Sequence, residues 1–164
     1  MERVRVSAVL RAQPLRVYDA WLSAKEHAAF TGSAATVDAR VGGKFSAWDG
    51  YIHGENVELE PGKRIVQTWR SSDFPKGAPA SRLEVILKKD ARGTKITLVH
   101  SEIPTGQGAE YKKGWVEFYF AGMKRYFDDV PRRASTKKPK AKVKSKRVKR
   151  VRAAARKSRR PPAA

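Results

Sequence analysis

Aromatic side chains and positive charge occupy different parts of this 164-residue chain. All four Trp, five Tyr and six Phe residues lie within residues 1–130, whereas residues 131–164 carry sixteen of the 36 Lys and Arg residues and no Asp or Glu. A segment with one sign of charge and no aromatic residue cannot bury enough apolar surface to offset its chain entropy. The sequence therefore predicts one folded domain over residues 1–130 and a disordered Lys/Arg-rich tail over residues 131–164.

Two absences narrow the classes of protein to which the chain can belong. It has no Cys, which excludes disulfides and Cys-ligated metals. No apolar run approaches the roughly 20 residues needed to cross a bilayer, and the first residues lack the apolar stretch of a signal peptide. We therefore expect a cytoplasmic protein without membrane insertion. From the basic tail we also expect association with a nucleoid or chromatin.

The first part of the chain predicts one strand followed by two short helices. Apolar residues at alternate positions of residues 3–11 indicate a half-buried strand. Pro14 occupies a favoured first-turn position and opens a helix whose apolar stripe includes Trp21. A second short helix covers residues 25–30 and ends at Gly32.

A run of strands follows, punctuated by turn residues such as Asp49-Gly50. In the third of these strands we expect Val57 and Leu59 on one apolar face, with Glu58 and Glu60 on the solvent side. The predicted strands cover residues 35–41, 44–48, 51–60, 65–70, 82–89 and 94–102.

The last predicted element is a long helix over residues 109–129. Its aromatic and apolar residues recur at helical spacing, so one face must lie against another layer. Antiparallel strands with helices at both ends predict an α+β fold, and the concave face of a curved antiparallel sheet is the simplest partner for the helix.

Several ordered stretches of the chain resemble one known family. They are residues 14–22, 38–45, 60–69 and 94–100, together with Gly114-Trp115. In these stretches the sequence is similar to the helix-grip (START-like) fold of the SRPBCC superfamily, and more narrowly to the domain of activators of heat-shock-protein-90 ATPase homologues. The resemblance implies a curved sheet wrapped around a long C-terminal helix, a deep cavity between them and no shared catalytic motif.

The resemblance also implies a chaperone as partner. The best-known eukaryotic members join this domain to a separate N-terminal domain that engages the chaperone, and no such domain precedes the first predicted strand. We therefore expect chaperone regulation as the alternative function, not the leading one.

The leading prediction is a ligand-binding cavity, because apolar walls with a few polar groups are typical of small-molecule sites. An aromatic stripe is more often plain core, and here the same helix face can serve both purposes. Three members of the set, Gln67, His100 and Tyr119, supply polar groups that could orient an unidentified hydrophobic molecule. The expected ligand-binding residues are Gln67, Trp69, Leu83, Val85, Leu98, His100, Trp115, Phe118, Tyr119 and Met123.

His100 has two interpretations. Alternation with Ile96 and Leu98 points it inward, so it either reaches a ligand or is a buried histidine with a structural hydrogen bond, and we favour the second. His27 and His53 lack metal-ligand spacing, and Gly42-Gly43 lacks the context of a phosphate loop. We therefore expect no metal, no cofactor and no catalytic residue.

The tail predicts binding to DNA or RNA. Dense cations displace counterions from a phosphate backbone, and without aromatic residues the tail cannot stack on bases, so binding should be non-specific. A tail that is merely solvated is the alternative. The expected contacts are Lys137, Lys138, Lys140, Lys142, Lys144, Lys146, Arg147, Lys149, Arg150, Arg152, Arg156, Lys157, Arg159 and Arg160.

Together these features predict a non-enzymatic, hydrophobic-ligand-binding domain with a tail that binds nucleic acid. The alternative is a chaperone-associated regulator, which the family resemblance implies. A third reading, an enzyme of the cyclase or hydrolase kind, needs convergent polar groups in the cavity, where the sequence offers mainly His100.

Overall fold

The computed structural model describes residues 1–128. The predictions for the basic tail, including all its nucleic-acid contacts, and for the last residue of the long helix lie outside the described residues.

Within this part of the chain, seven strands and two short helices precede one long helix. The short helices α1 Pro14–Trp21 and α2 Ala24–Thr31 lie between the first two strands. The long helix comprises α3 Gly108–Gly114, a π-helical segment Trp115–Phe120 and a further α-helical stretch over residues 121–128. The strands are β1 Glu2–Leu10, β2 Thr36–Val37, β3 Lys44–Ala47, β4 Ile52–Glu60, β5 Arg64–Ser71, β6 Ser81–Asp90 and β7 Gly93–Ile103.

The seven strands form one antiparallel sheet in the order β1-β7-β6-β5-β4-β3-β2. The first strand pairs with the last, so the sheet is continuous from β1 to the short edge strand β2. The predicted α+β helix-grip fold is confirmed, with the two short helices where the sequence placed them.

Local signals explain where the short helices begin and end. Pro14 occupies the first turn of α1. The hydroxyl of Ser23 accepts a hydrogen bond from the backbone N–H of Glu26 and so caps α2, which ends at Gly32 in the left-handed conformation with φ of 83°.

The core lies between the sheet and the long helix. Inward-facing residues of β6 and β7, such as Leu83, Val85 and Leu98, are fully buried, and Met123 and Phe127 of the long helix are buried in the same cluster. Burial of apolar side chains by two elements that lie far apart in sequence stabilises this arrangement at roughly 25 cal/mol per Å² of apolar surface.

The edge strand β2 is much shorter than the predicted strand 35–41. After Val37 the backbone turns, with the Arg40 N–H donating to the Asp38 carbonyl at 2.8 Å. The buried side chain of Asn56 donates to the carbonyl oxygens of Asp38 and Arg40 at 2.9 and 3.2 Å, and so replaces the ladder bonds that a longer strand would make. No sequence periodicity reports such a contact.

The predicted apolar face of β4 is wrong at Val57, which is 43% exposed. The register with β5 shifts between Asn56 and Glu58, as in a β-bulge. Because a bulge adds one residue to one strand, it interrupts the alternation on which the prediction depended. Asn56 occupies the buried position instead.

The π-helical segment changes which residues of the long helix face the core. Trp115, Tyr119 and Phe120 are buried, whereas Phe118 is 60% exposed. A π-helical turn holds more residues than an α-helical turn, so α-helical spacing does not report the burial of each residue here. Phe118 was predicted on the apolar face of the long helix, and the structure leaves most of its side chain exposed.

Candidate functional site

A cavity of about 310 Å³ lies between the β3–β4 turn, the neighbouring strands and the first half of the long helix. Strand β5 contributes Trp69, and the turn that precedes β4 contributes Trp48 and Tyr51. Seven of the ten lining residues are aromatic. They are Trp48, Tyr51, Ile52, Trp69, Glu110, Tyr111, Gly114, Trp115, Phe118 and Tyr119.

The aromatic rings meet one another at steep angles. The ring centroids of Trp69 and Tyr111 are 5.0 Å apart with planes at 76°, and those of Trp48 and Phe118 are 6.1 Å apart at 71°. Edge-to-face pairs of this kind are favourable because the positive edge of one ring meets the negative face of the next.

The tyrosine hydroxyls of the cavity are bonded to the protein. Tyr51 donates to the Asp73 carboxylate at 2.6 Å, and burial, with Asp73 beside it, raises the pKa of Tyr51. Tyr111 donates to Gln107 Oε1 at 2.9 Å and lies 2.6 Å from the hydroxyl of Ser71. These contacts fix the rings and leave few hydroxyl groups for a ligand.

The third tyrosine of the cavity, Tyr119, is hydrogen-bonded to His27. The His27 ring is 4% exposed, with Nδ1 3.0 Å from the Trp21 carbonyl and Nε2 3.0 Å from the Tyr119 hydroxyl. A carbonyl only accepts, so Nδ1 carries the proton and Tyr119 donates to Nε2. Burial lowers the pKa of His27 to about 4, which keeps it neutral, and burial raises the pKa of Tyr119.

Four of the ten predicted ligand-binding residues line the cavity. Trp69, Trp115 and Tyr119 form its buried wall, and Phe118 lies at its exposed rim. The other six are buried in the core and do not line the cavity. They are Gln67, Leu83, Val85, Leu98, His100 and Met123.

His100 is buried and hydrogen-bonded to Trp115 of the cavity wall. The indole Nε1 of Trp115 donates to Nδ1 of His100 at 3.2 Å, so Nε2 of His100 carries the proton and donates to Ser81 Oγ at 2.8 Å. The Ser81 hydroxyl donates in turn to the Trp69 carbonyl at 2.6 Å. Burial lowers the pKa of His100 to about 3. Both ring nitrogens are thus bonded within the protein, in keeping with the structural interpretation of this histidine.

Gln67 belongs to a buried chain of amides. Its Oε1 accepts from Trp21 Nε1 at 3.4 Å, and its Nε2 donates to Asn56 Oδ1 at 2.8 Å. Buried amides satisfied in this way fix the packing of α1 on the sheet. The amide of Gln67 is therefore not available to a ligand.

Sequence reasoning missed six lining residues, including Trp48, Tyr51 and Glu110. A usable signal existed for two of them, because Trp48 and Tyr51 flank the predicted Asp49-Gly50 turn and a tight turn brings its flanks together. Glu110 gave no such signal. It is the only charged residue among those that line the cavity in the described part of the chain.

Between residues 1 and 128 there is no group of three His, Asp or Glu side chains placed to hold a metal ion. No helix in this part of the chain has the length and apolar character to cross a membrane.

A seven-stranded antiparallel sheet around a long helix, with an aromatic cavity between them, defines a helix-grip domain. Within that class the match is more specific. The family model described as "Activator of Hsp90 ATPase homolog 1-like protein" matches residues 11–128. This chain belongs to that family, which confirms the resemblance found in the sequence.

Similar proteins are named for chaperone activation. The chain is 32% identical to the "Activator of 90 kDa heat shock protein ATPase homolog" of Dictyostelium discoideum over 113 residues, covering 68% of this chain and 29% of that protein. It is 30% identical to the human "Activator of 90 kDa heat shock protein ATPase homolog 1" over 125 residues, covering 76% and 37%. The chain thus spans about a third of the length of these curated relatives.

A solved structure with a similar fold is also named for chaperone activation. The crystal structure of an HSP90 activator from Plasmodium falciparum superposes with a TM-score of 0.70 at 26% sequence identity, covering 77% of this chain and 96% of that one.

Proposed function

We propose that this chain is a non-enzymatic regulator of an Hsp90-type chaperone ATPase. The observation that carries the proposal is the family match over residues 11–128, together with relatives that are named as activators of that ATPase. The proposal replaces ligand binding as the leading function, because the family relationship supports the alternative better. The two buried histidines have both ring nitrogens bonded within the protein, so neither presents a free imidazole to a substrate in the cavity, which supports regulation over catalysis.

The outer face of the sheet supports a partner with an acidic surface. Lys88 of β6 lies directly opposite Lys95 of β7, and both side chains are exposed. Like charges directly opposite each other on neighbouring strands are destabilising. An acidic partner surface on this face would relieve that repulsion, and exposed Arg3 and Arg5 of β1 extend the positive charge along the same face.

The test is the ATPase rate of the Hsp90 of the same organism, measured with increasing amounts of the full-length chain. We expect a saturable increase in rate, with a chaperone variant that cannot hydrolyse ATP as the blank. An unchanged rate together with no binding by calorimetry would contradict the proposal. Binding without stimulation would leave a chaperone-binding protein that is not an activator.

A second candidate function is the binding of a small molecule, and the aromatic cavity supports it. Its volume of about 310 Å³ lies at the lower end of the range for ligand pockets. Native mass spectrometry of the purified chain tests this candidate, because a retained molecule would add mass that unfolding removes. Trp69→Leu, which changes the wall, should reduce retention.

The basic tail supports a further interaction, with DNA or RNA. Residues 131–164 hold sixteen Lys and Arg residues without an acidic residue. Polyanion binding by such a segment depends on charge density alone and needs no fold. This interaction would tether the domain to nucleic acid while its folded part engages another partner.

A further inference from the structure

We propose that the aromatic cavity binds an organic cation, specifically a quaternary ammonium group. This inference rests on the second candidate function, small-molecule binding, and is independent of chaperone regulation. It gives a defined charge to the unidentified hydrophobic ligand expected from the sequence.

The first argument is the nature of the walls. Three of the lining residues are Trp, and four others are Tyr or Phe. An aromatic face is electron-rich, so a cation within about 6 Å of a ring centroid is attracted to it, most strongly over Trp. All seven rings line one cavity of about 310 Å³, so a cation held there lies beside several aromatic rings.

The second argument is the shortage of hydrogen-bonding groups. The hydroxyls of Tyr51, Tyr111 and Tyr119 are bonded to Asp73, Gln107 and His27. A primary ammonium carries three N–H donors, and among the side chains that line the cavity only the Glu110 carboxylate and the tyrosine oxygens could accept them. A quaternary ammonium has no N–H donor, and its methyl groups pack against rings as apolar groups do. The walls therefore favour the methylated cation.

The third argument is the sign of the charge. Glu110 is the only charged residue lining the cavity in the described part of the chain, and the Asp73 carboxylate accepts the hydrogen bond of a wall residue, Tyr51. The adjacent Lys112 and Lys113 are exposed and do not line the cavity. An anionic ligand would face Glu110 without a counter-charge, whereas a cation would be attracted to that carboxylate.

The test compares two molecules of the same shape. Choline and its neutral isostere 3,3-dimethylbutan-1-ol are titrated into the full-length chain at constant ionic strength. The readout is tryptophan fluorescence, because Trp48, Trp69 and Trp115 line the cavity. We expect choline to bind about fivefold more tightly, the ratio that corresponds to roughly 1 kcal/mol of cation–π attraction.

Two variants on the long helix sharpen the test. Glu110→Gln removes the carboxylate at the cavity, whereas Glu117→Gln removes an exposed carboxylate of the same helix that does not line it. We expect Glu110→Gln to weaken choline binding about threefold or more, with the affinity for the neutral isostere unchanged, and Glu117→Gln to behave as wild type.

Each contrary outcome identifies what is wrong. Equal affinity for choline and its isostere would overturn the cation proposal and leave small-molecule binding intact. Binding of neither molecule would overturn this proposal, and with an empty native mass spectrum it would also remove the second candidate function. Equal loss of choline binding in Glu110→Gln and Glu117→Gln would reduce the effect to long-range charge and so contradict a site at Glu110. Chaperone stimulation is measured separately and does not depend on these results.

Discussion

Trp115 of the long helix donates its indole N–H to Nδ1 of His100 on β7, across 3.2 Å in the buried interior. The bond ties a wall of the cavity to the sheet behind it. It also fixes the protonation of the imidazole, because Nδ1 can accept only when it carries no proton. The cavity shape thus depends on a neutral His100.

The first prediction concerns acid. The pKa of His100 is about 3 and that of His27 about 4 in the folded chain, below the ordinary value of 6.5. Below pH 6.5 the two histidines are protonated in the unfolded chain but not in the folded chain. The free energy of unfolding therefore falls as pH falls. Between pH 7 and 5.5 we expect a loss of about 1 kcal/mol per histidine in the free energy of unfolding, measured with urea.

His100→Gln serves as the control for that titration. The variant should lose roughly 1–3 kcal/mol at pH 7, since the bonds from Trp115 and to Ser81 are altered. Its pH dependence between pH 7 and 5.5 should be about half that of the wild type. A pH dependence identical to that of the wild type would mean that His100 titrates normally.

The second prediction concerns two glycines of the long helix. A methyl group at Gly122 would overlap the backbone carbonyl oxygen of Phe30 in α2. At Gly114 the nearest atom would be Cδ2 of Phe118, at 3.8 Å. Alanine is favoured over glycine in a helix by about 1 kcal/mol, so Gly114→Ala should raise the melting temperature. Gly122→Ala should lower it, because α2 must move.

The third prediction separates folding from partner binding on the outer face. Lys88→Glu places opposite charges across β6 and β7 and should stabilise the fold by about 0.2–1 kcal/mol, seen in thermal unfolding. The same change should reduce stimulation of the chaperone ATPase.

Lys89→Glu is the matched control for the outer face. It changes the net charge equally, but its strand position alternates to the other side and pairs with Thr94. We expect it to retain stimulation. Equal loss in both variants would indicate a general effect of net charge and not a docking face.

The fourth prediction concerns the tail. Deleting residues 134–164 should leave the melting temperature within about 5 °C of the full chain, because every aromatic residue precedes the deletion. Binding to double-stranded DNA, followed by fluorescence anisotropy, should be much weaker after the deletion. In the full chain log K should fall with log salt at a slope of about −7 if half of the tail cations make contact. Equal binding by both chains would move the nucleic-acid site onto the folded domain.

The strand and helix pattern could be predicted because it depends on local periodicity. Alternation over β6 and β7 and the helical spacing after residue 108 determine which side each residue faces, and the structure confirms these elements. Two predicted burials failed because one residue was added to the period. At Val57 this is the β-bulge, and at Phe118 it is the π-helical segment.

The site itself depended on contacts between distant residues. Trp48 meets Phe118 across the cavity mouth, and His27 meets Tyr119, which lies 92 positions further along the chain. No periodicity within one element reports such pairs. By itself the sequence determined the segregation of charge from aromatic residues, the elements and the family, because these follow from composition, spacing and ordered motifs. Only the tertiary structure decided which aromatic rings line the cavity and which histidines have both ring nitrogens hydrogen-bonded within the protein. Burial and hydrogen bonding of this kind arise when separate elements pack together.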